Sequence, residues 1–228
     1  MAGKIKRKCL VCFFILVSMF AACGCRETKS EETVSYAPED SAVSFSVQTK
    51  IDGHPVEIPV FSSVHESTQL VEINREIDDT LGTLYEKDKD SAEITPEIRT
   101  DLYENPKYLQ ALCRYVEFPL VGGQGDVVSY NYDRVHDKQM TLTDALILKE
   151  TTLDDVRQAV TDSCLREKEL LDKEIAVYGV TVDGFVLDEE NHCDFYGNID
   201  FSMNGKTQWS YIYRYEFENG TLEIYDLQ

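Results

Sequence analysis

Basic side chains are scarce in this 228-residue chain: 22 Lys and Arg stand against 42 Asp and Glu, for a net charge of −20. A surface that anionic repels phosphate backbones and anionic lipid, so nucleic acid is excluded as a partner and cations or basic proteins are favoured. Histidine is scarcer still. The four, His54, His65, His136 and His192, are scattered, with no pair at metal-ligand spacing. Ser-X-X-Lys, Gly-X-Ser-X-Gly and His-Glu-X-X-His are all missing, and with them the common signatures of acyl transfer and zinc hydrolysis. The composition therefore points to no catalytic residue, no metal and no cofactor, and to a protein more readily read as a binder than as an enzyme. Cysteine is thin beyond the first 25 residues: only Cys113, Cys164 and Cys193 remain. A disulfide would use two and leave one over; three buried free thiols are the other reading.

Long apolar runs are also lacking. Cys9 to Ala22 is apolar apart from Ser18, but its 14 residues make only about 21 Å of helix, short of the roughly 20 residues a membrane span needs. Lys4, Lys6, Arg7 and Lys8 precede it with no acid among them, which gives residues 1–22 the form of a signal peptide. Phe20-Ala21-Ala22-Cys23 follows and resembles the bacterial lipobox, in which Cys23 would receive diacylglycerol. Phe20 stands where that pattern prefers leucine, and a second register would use Ala22-Cys23-Gly24-Cys25. An uncleaved anchor or an ordinary secretory signal are the alternatives; each places the bulk of the chain outside the cytoplasm. Cleavage before Cys23 leaves 18 basic residues against 42 acidic ones, a net charge of −24. Residues 23–42 are polar, carry Pro38 and show no apolar period, so they read as a flexible tether about 25 Å long on average.

What is present from residue 43 to 228 is a patterned domain of a size one core can fill. Val43, Phe45 and Val47 alternate with polar residues; Asp52-Gly53 is a hairpin signal, and His54 to Phe61 returns as a second strand that Pro55 and Pro59 push toward an edge. Leu70, Ile73, Ile77, Leu81 and Leu84 form one stripe on a helix predicted from Glu66 to Lys87. Asp88 to Asn105 is charged and broken by Pro96, which predicts a loop. Leu112–Phe118 and Val127–Tyr132 then alternate around Gly122-Gly123-Gln124-Gly125, a turn rather than a phosphate loop. Thr143 is the expected N-cap of a short helix to Leu148, and a longer helix should run from Thr152 to about Lys173, burying Leu153, Val156, Val160, Leu165 and Leu171. Strands over Ile175–Leu187, Asp194–Met203, Gln208–Phe217 and Thr221–Tyr225 complete the chain, with Asn204-Gly205 and Asn219-Gly220 as hairpin turns. Trp209, Tyr211, Tyr213, Tyr215 and Phe217 share one strand face, a packing surface or, if nothing covers it, a ligand platform. The fold class that follows is α+β: one domain, with a mostly antiparallel, mixed β-sheet packed against two longer α-helices.

Gly122-Gly123, Ser129-Tyr130-Asn131-Tyr132-Asp133 and Thr141-Leu142-Thr143-Asp144-Ala145-Leu146, in that order, resemble the extracytoplasmic domain of RsiV-type anti-sigma factors, shared with PdaC-type peptidoglycan deacetylases. The likeness covers residues 43 to about 175. It implies a stand-alone, lipid-anchored recognition domain on the outer face of the cell membrane, binding lysozyme or another basic protein, or a cell-wall component. The ligand-binding residues it implies are Gly122, Gly123, Gln124, Gly125, Tyr130, Tyr132 and Asp133, with the Asp133–Lys138 turn beside the glycines. Gln124 stands where the family commonly has histidine, and neither the family's next Gly-Lys turn nor its deacetylase domain is present.

Two weaker clusters complete the reading. His192-Cys193-Asp194 is dense in reactive types but falls at a probable hairpin, where neighbours in sequence rarely form a Cys–His dyad. Asp188-Glu189-Glu190-Asn191 with Asp194 could gather calcium, yet lacks EF-hand spacing and its glycine. A cell-envelope hydrolase, its site assembled from distant residues, is the competing function; a pocket joining histidine, carboxylate and thiol would favour it.

Overall fold

The computed structural model describes residues 41–51, 53–64, 67–88, 95–118, 125–167, 175–203 and 207–225. The signal-peptide reading, residues 23–40 of the tether, Cys23, Gly122, Gly123, Gln124, Leu171 and the Asn204-Gly205 turn lie outside them; the last two tether residues, Ser41 and Ala42, belong instead to the first strand. Strands dominate, so the α+β class holds, but they divide between two sheets rather than building one. The first sheet holds β1 (Ser41–Ile51), β2 (His54–Ser63), β3 (Thr95–Glu104), β4 (Tyr108–Phe118), β5 (Gly125–Asp133) and β6 (Lys138–Met140), in that order. Its neighbours are antiparallel except β2 and β3, which meet in parallel at Val56 and Ile98. The second sheet runs β11 (Thr221–Ile224), β10 (Thr207–Glu216), β9 (Cys193–Met203), β7 (Ile175–Val180), with β8 (Gly184–Leu187) paired to the other end of β9.

Side-chain alternation stacks these sheets into layers. Leu109, Ala111, Cys113 and Tyr115 of β4, with Tyr130 and Tyr132 of β5, pack under helix α1 (Thr68–Ile77), whose Leu70, Ile73 and Ile77 are buried as their spacing predicts. Ser67 caps α1, accepting from the Leu70 amide at 3.4 Å, and Asn74 ties it down by a two-way bond to the Phe61 backbone at 2.8 Å each way. The predicted single helix is interrupted by a π-helical turn, Asp78–Gly82, before α2 (Thr83–Asp88); Leu81 stays buried across it. On the opposite face of the first sheet, Leu112 and Val127 meet Val186, Tyr196 and Ile212 of the second. Beyond that sheet, Phe195, Ile199, Phe201, Tyr213 and Tyr215 pack against Ala145 of α3 (Leu142–Leu148) and Val156, Val160 and Cys164 of α4 (Leu153–Glu167). The aromatic face of β10 is thus core under a helix, not a ligand platform. Among the described residues, no helix is long and apolar enough to cross a membrane.

Four local expectations are corrected. Thr95–Glu104 is a strand, not a loop: Ile98, Thr100 and Leu102 turn toward the α1 side, and the charged alternates point the other way. Pro96 is tolerated because it is the second residue of that strand, before the parallel pairing begins at Ile98. The cap of α3 is Thr141 rather than Thr143, closed by a capping box in which the Asp144 carboxylate accepts the Thr141 amide at 2.9 Å. In α4 the buried residue is Cys164, and Leu165 is 43% exposed. Lastly, Ile175–Leu187 breaks at Thr181–Asp183, because β7 pairs with Ile199–Met203 and β8 with Cys193–Tyr196. The chain crosses β9 over Gly197, where any Cβ would overlap the Thr181 carbonyl oxygen.

That break frees β8 to join the two sheets. The Gln110 amide donates to the Leu187 carbonyl and accepts from the Leu187 amide, both at 2.7 Å, while the Ser129 hydroxyl accepts from the Phe185 amide at 2.9 Å. Side chains of the first sheet thereby satisfy the outer edge of a strand of the second. Gln110→Leu keeps the volume but strands the buried Leu187 amide, at a cost of about 1–3 kcal/mol, and leaves the Leu187 carbonyl only the Asn105 side chain at 3.3 Å. Chemical denaturation should show that loss, and a variant within half a kcal/mol of wild type would mean the bonds contribute nothing net.

Candidate functional site

A broad depression in the surface follows from this seam. The second sheet covers the first around β4 and β5, and at the margin the end of β3, the β8–β9 hairpin and the β10–β11 turn leave a cleft of about 760 Å³. Leu102, Tyr103, Val186 and Leu187 give it an apolar floor. Seven carboxylates line it: Glu104 from β3; Asp188, Glu189 and Glu190 from the hairpin; Asp194 from β9; Glu216 and Glu218 from β10 and its turn. Arg214 and His192 are its only basic groups.

Each wall has a local cause. The hairpin is built on Asp188, whose carboxylate accepts the His192 amide at 2.8 Å and bonds its Nδ1 at 2.7 Å, with Asn191 in the left-handed region at φ +67°. Desolvation opposes ionisation of Asp188, but those two bonds outweigh it and hold the carboxyl below its usual range; the same partner raises His192. Arg214 reaches Asp194 at 2.8 Å, Glu216 at 3.0 Å and Glu223 at 3.6 Å. Burial nonetheless pushes Asp194 up, helped by Glu216 and Glu218. Glu218 is pinned by Lys149 and by the Cys193 amide at 2.9 Å, which keep it low against its own burial. One guanidinium therefore serves three carboxylates, and the cleft stays anionic.

The residues singled out by resemblance do other work. Tyr130 and Tyr132 are 1% exposed and belong to the core under α1, so they cannot face a ligand. Asp133 is buried and organises its own turn, accepting the Val135 and His136 amides at 2.9 and 3.0 Å and bonding His136 Nδ1 at 2.7 Å. Gly125 opens β5 and Asp133 closes it, eight residues later, so Gly125 and the 133–138 turn stand at opposite ends of that strand, about 26 Å apart. Arg134 is buried as well, donating to the Ser41 and Asn105 carbonyls at 3.1 and 3.0 Å.

Of the reactive clusters, Cys193 starts β9 and is fully buried, and neither it nor Cys113 is in a disulfide. Burial pushes the Cys113 thiol up to about 12 and Cys193 in the same direction, the reverse of what a nucleophile needs. Asp188, Glu190 and His192 do gather, with ligand atoms within 4.8 Å of one another, but the Asp188–His192 bond already occupies two of them. The cleft residues were legible only in part. Asp188, Glu189, Glu190 and Asp194 stand out in the sequence as a run of acids, whereas Glu104, Arg214, Glu216 and Glu218 come from other strands with no signal linking them.

Fold and site together define an α+β domain of two stacked sheets, helices outside, with an anionic cleft at the margin of the stack. No protein-family model matches the chain, and no curated protein matches it. Among solved structures it is similar to the Bacillus megaterium YpeB C-terminal domain, at 13% identity over 82% of this chain and 91% of that one, with a TM-score of 0.18. So slight an overlap carries no argument about fold or function.

The cleft carries its own pH test. His192 stands on the rim with its pKa raised by Asp188, so protonation begins above the ordinary value of 6.5 and adds positive charge as pH falls. Association with a basic protein should slow, by roughly twofold or more, between pH 8 and pH 6. His192→Gln should flatten that slope; an unchanged slope in the variant would assign it to other groups.

Proposed function

We propose that this chain is a bacterial surface lipoprotein: an RsiV-like extracytoplasmic domain, single and with its sheets packed against two longer helices, that recognises a basic protein such as lysozyme or a basic wall component. In this reading residues 1–22 are a signal peptide, Cys23 carries the lipid, the tether runs from residue 23 up to strand β1 at Ser41, and the domain faces outward from the cell membrane. The observation that supports recognition is the cleft, where seven carboxylates surround an apolar floor and outnumber the cations that reach them, Arg214, His192, Lys149 and Arg134. Apolar contact with an anionic rim suits a lysine- or arginine-bearing surface, and steering by charge of this size raises association rates about 10–10³-fold. The hydrolase reading loses its thiol nucleophile to burial, and it is not carried further.

Two experiments test this. The chain from Arg26 onward, titrated with a lysozyme and with an unrelated basic protein of matched charge, should bind the first more tightly and retain part of that binding at high salt, where a Debye length of roughly 3 Å at 1 M screens mere attraction. Equal binding to both, abolished by salt, would reduce the interaction to charge alone. Separately, Cys23→Ala should move the exported protein from the detergent phase to the aqueous phase, since stable anchoring depends on the acyl chains. Partitioning that ignores the substitution would overturn lipid attachment.

A further inference from the structure

A second cavity, of about 440 Å³, lies on the same face of the first sheet, over β2 and β3, and is separate from the cleft. It is lined by Gly53, Pro55, Glu57, Arg99, Asp101 and Arg114. Register explains the composition. Arg99 and Arg114 are direct partners across the β3–β4 ladder, so two guanidiniums rise from the same face side by side. Like charges placed directly opposite destabilise a strand pair unless something answers them. Glu97 meets Arg99 through Nε, and Asp101 takes one terminal nitrogen of Arg114 at 2.7 Å. The account does not close there. Arg114 Nε is buried with no acceptor, although the rest of its side chain is braced over the Tyr225 ring at 5.6 Å. On the other wall, one oxygen of Glu57 accepts the Thr100 amide at 3.1 Å. Gly53, at φ +94°, has open space where a side chain would stand and leaves the mouth unobstructed.

We propose that this cavity binds a small zwitterion, an α-amino acid whose carboxylate lies across Arg99 and Arg114 and whose ammonium meets Glu57 and Asp101. A plain anion is disfavoured because the two carboxylates of the lining cancel the two guanidiniums within a protein of net charge −20. A plain cation would compete with Arg114 for Asp101 and would leave the buried Arg114 Nε without an acceptor. A group carrying both charges on one carbon satisfies both walls, and guanidinium forks recognise planar carboxylates through paired bonds. The site is independent of the cleft, so either can fail without the other.

Calorimetric titration of the full chain with alanine tests the assignment, with N-acetylalanine and alaninamide as probes that each lack one charge. Saturable binding of alanine is expected, with both blocked forms at least tenfold weaker. Arg99→Gln and Glu57→Gln should each weaken alanine at least tenfold while thermal melting stays at the wild-type temperature. Arg99 is 58% exposed, so its variant keeps the test valid even if the loss of Glu57 disturbs the sheet. No saturable heat with alanine, or equal binding of the blocked analogues, would overturn the proposal and leave the four charges as mutual ion pairs only.

Discussion

The bidentate bond between the Gln110 amide and the Leu187 backbone decides how this molecule is put together. Two sheets that meet only through apolar side chains can slide, since dispersion and burial are not directional. Hydrogen bonds to a backbone edge are directional, and Gln110 with Ser129 sets where β8 lies over β4 and β5. Gly184 belongs to the same constraint: a Cβ there would come within 3.2 Å of Ser129 and push the strand off its partner. With β8 placed, the hairpin that follows it, Asp188 to His192, is carried to the margin of the stack, where it becomes one wall of the acidic cleft. The acidic cleft is therefore a consequence of the seam and not a separate construction.

The second constraint is the handling of cations. The chain has few, and the structure commits several of them internally. Arg134 is spent in joining the start of β1 to the end of β3, and Arg214 in holding Asp194, Glu216 and Glu223 together. Lys149 holds Glu218 and donates to the Asn191 carbonyl at 3.0 Å, linking α3 to both turns of the cleft. Each engaged cation steadies a wall while leaving the surrounding acids in excess. Exposed ion pairs contribute little to stability, a median of about 0–1 kcal/mol, so the gain lies in geometry more than in energy.

How much of this could be read from the residues divides along the same line. The α1 stripe was legible because 3-4-4-3 spacing has few alternatives, and the hairpins at Asp52-Gly53 and Asn219-Gly220 because positive φ selects glycine, as Gly53 and Gly220 bear out. Strand β3 was not, since Glu97, Arg99 and Asp101 look like a solvated loop until Tyr103 is seen to pack at the edge of the cluster between the two sheets. Gln110 and Ser129 carried no signal at all: a polar residue alternating with apolar ones is ordinarily an outward-facing one. Tyr130, Tyr132 and Asp133 were legible as a motif but misassigned in role, because a recurring short pattern can be kept for a turn as readily as for a ligand.

Strand β10 shows why the cleft opens where it does. Its odd residues, Trp209 through Tyr215, are aromatic and lie under α4, filling the core with rings such as Phe201 stacked on Trp209 at 6.2 Å. Its even residues, Ser210, Ile212, Arg214 and Glu216, face the first sheet, and period-two alternation permits nothing else. Ile212 is buried between the sheets; two residues further on, where the covering ends, the same face presents Arg214 and then Glu216 to solvent. The change from apolar to charged along one face marks the edge of the stack, and the cleft opens at that edge. An aromatic platform would have required the helix to be absent; a charged margin requires only that one sheet be smaller than the other.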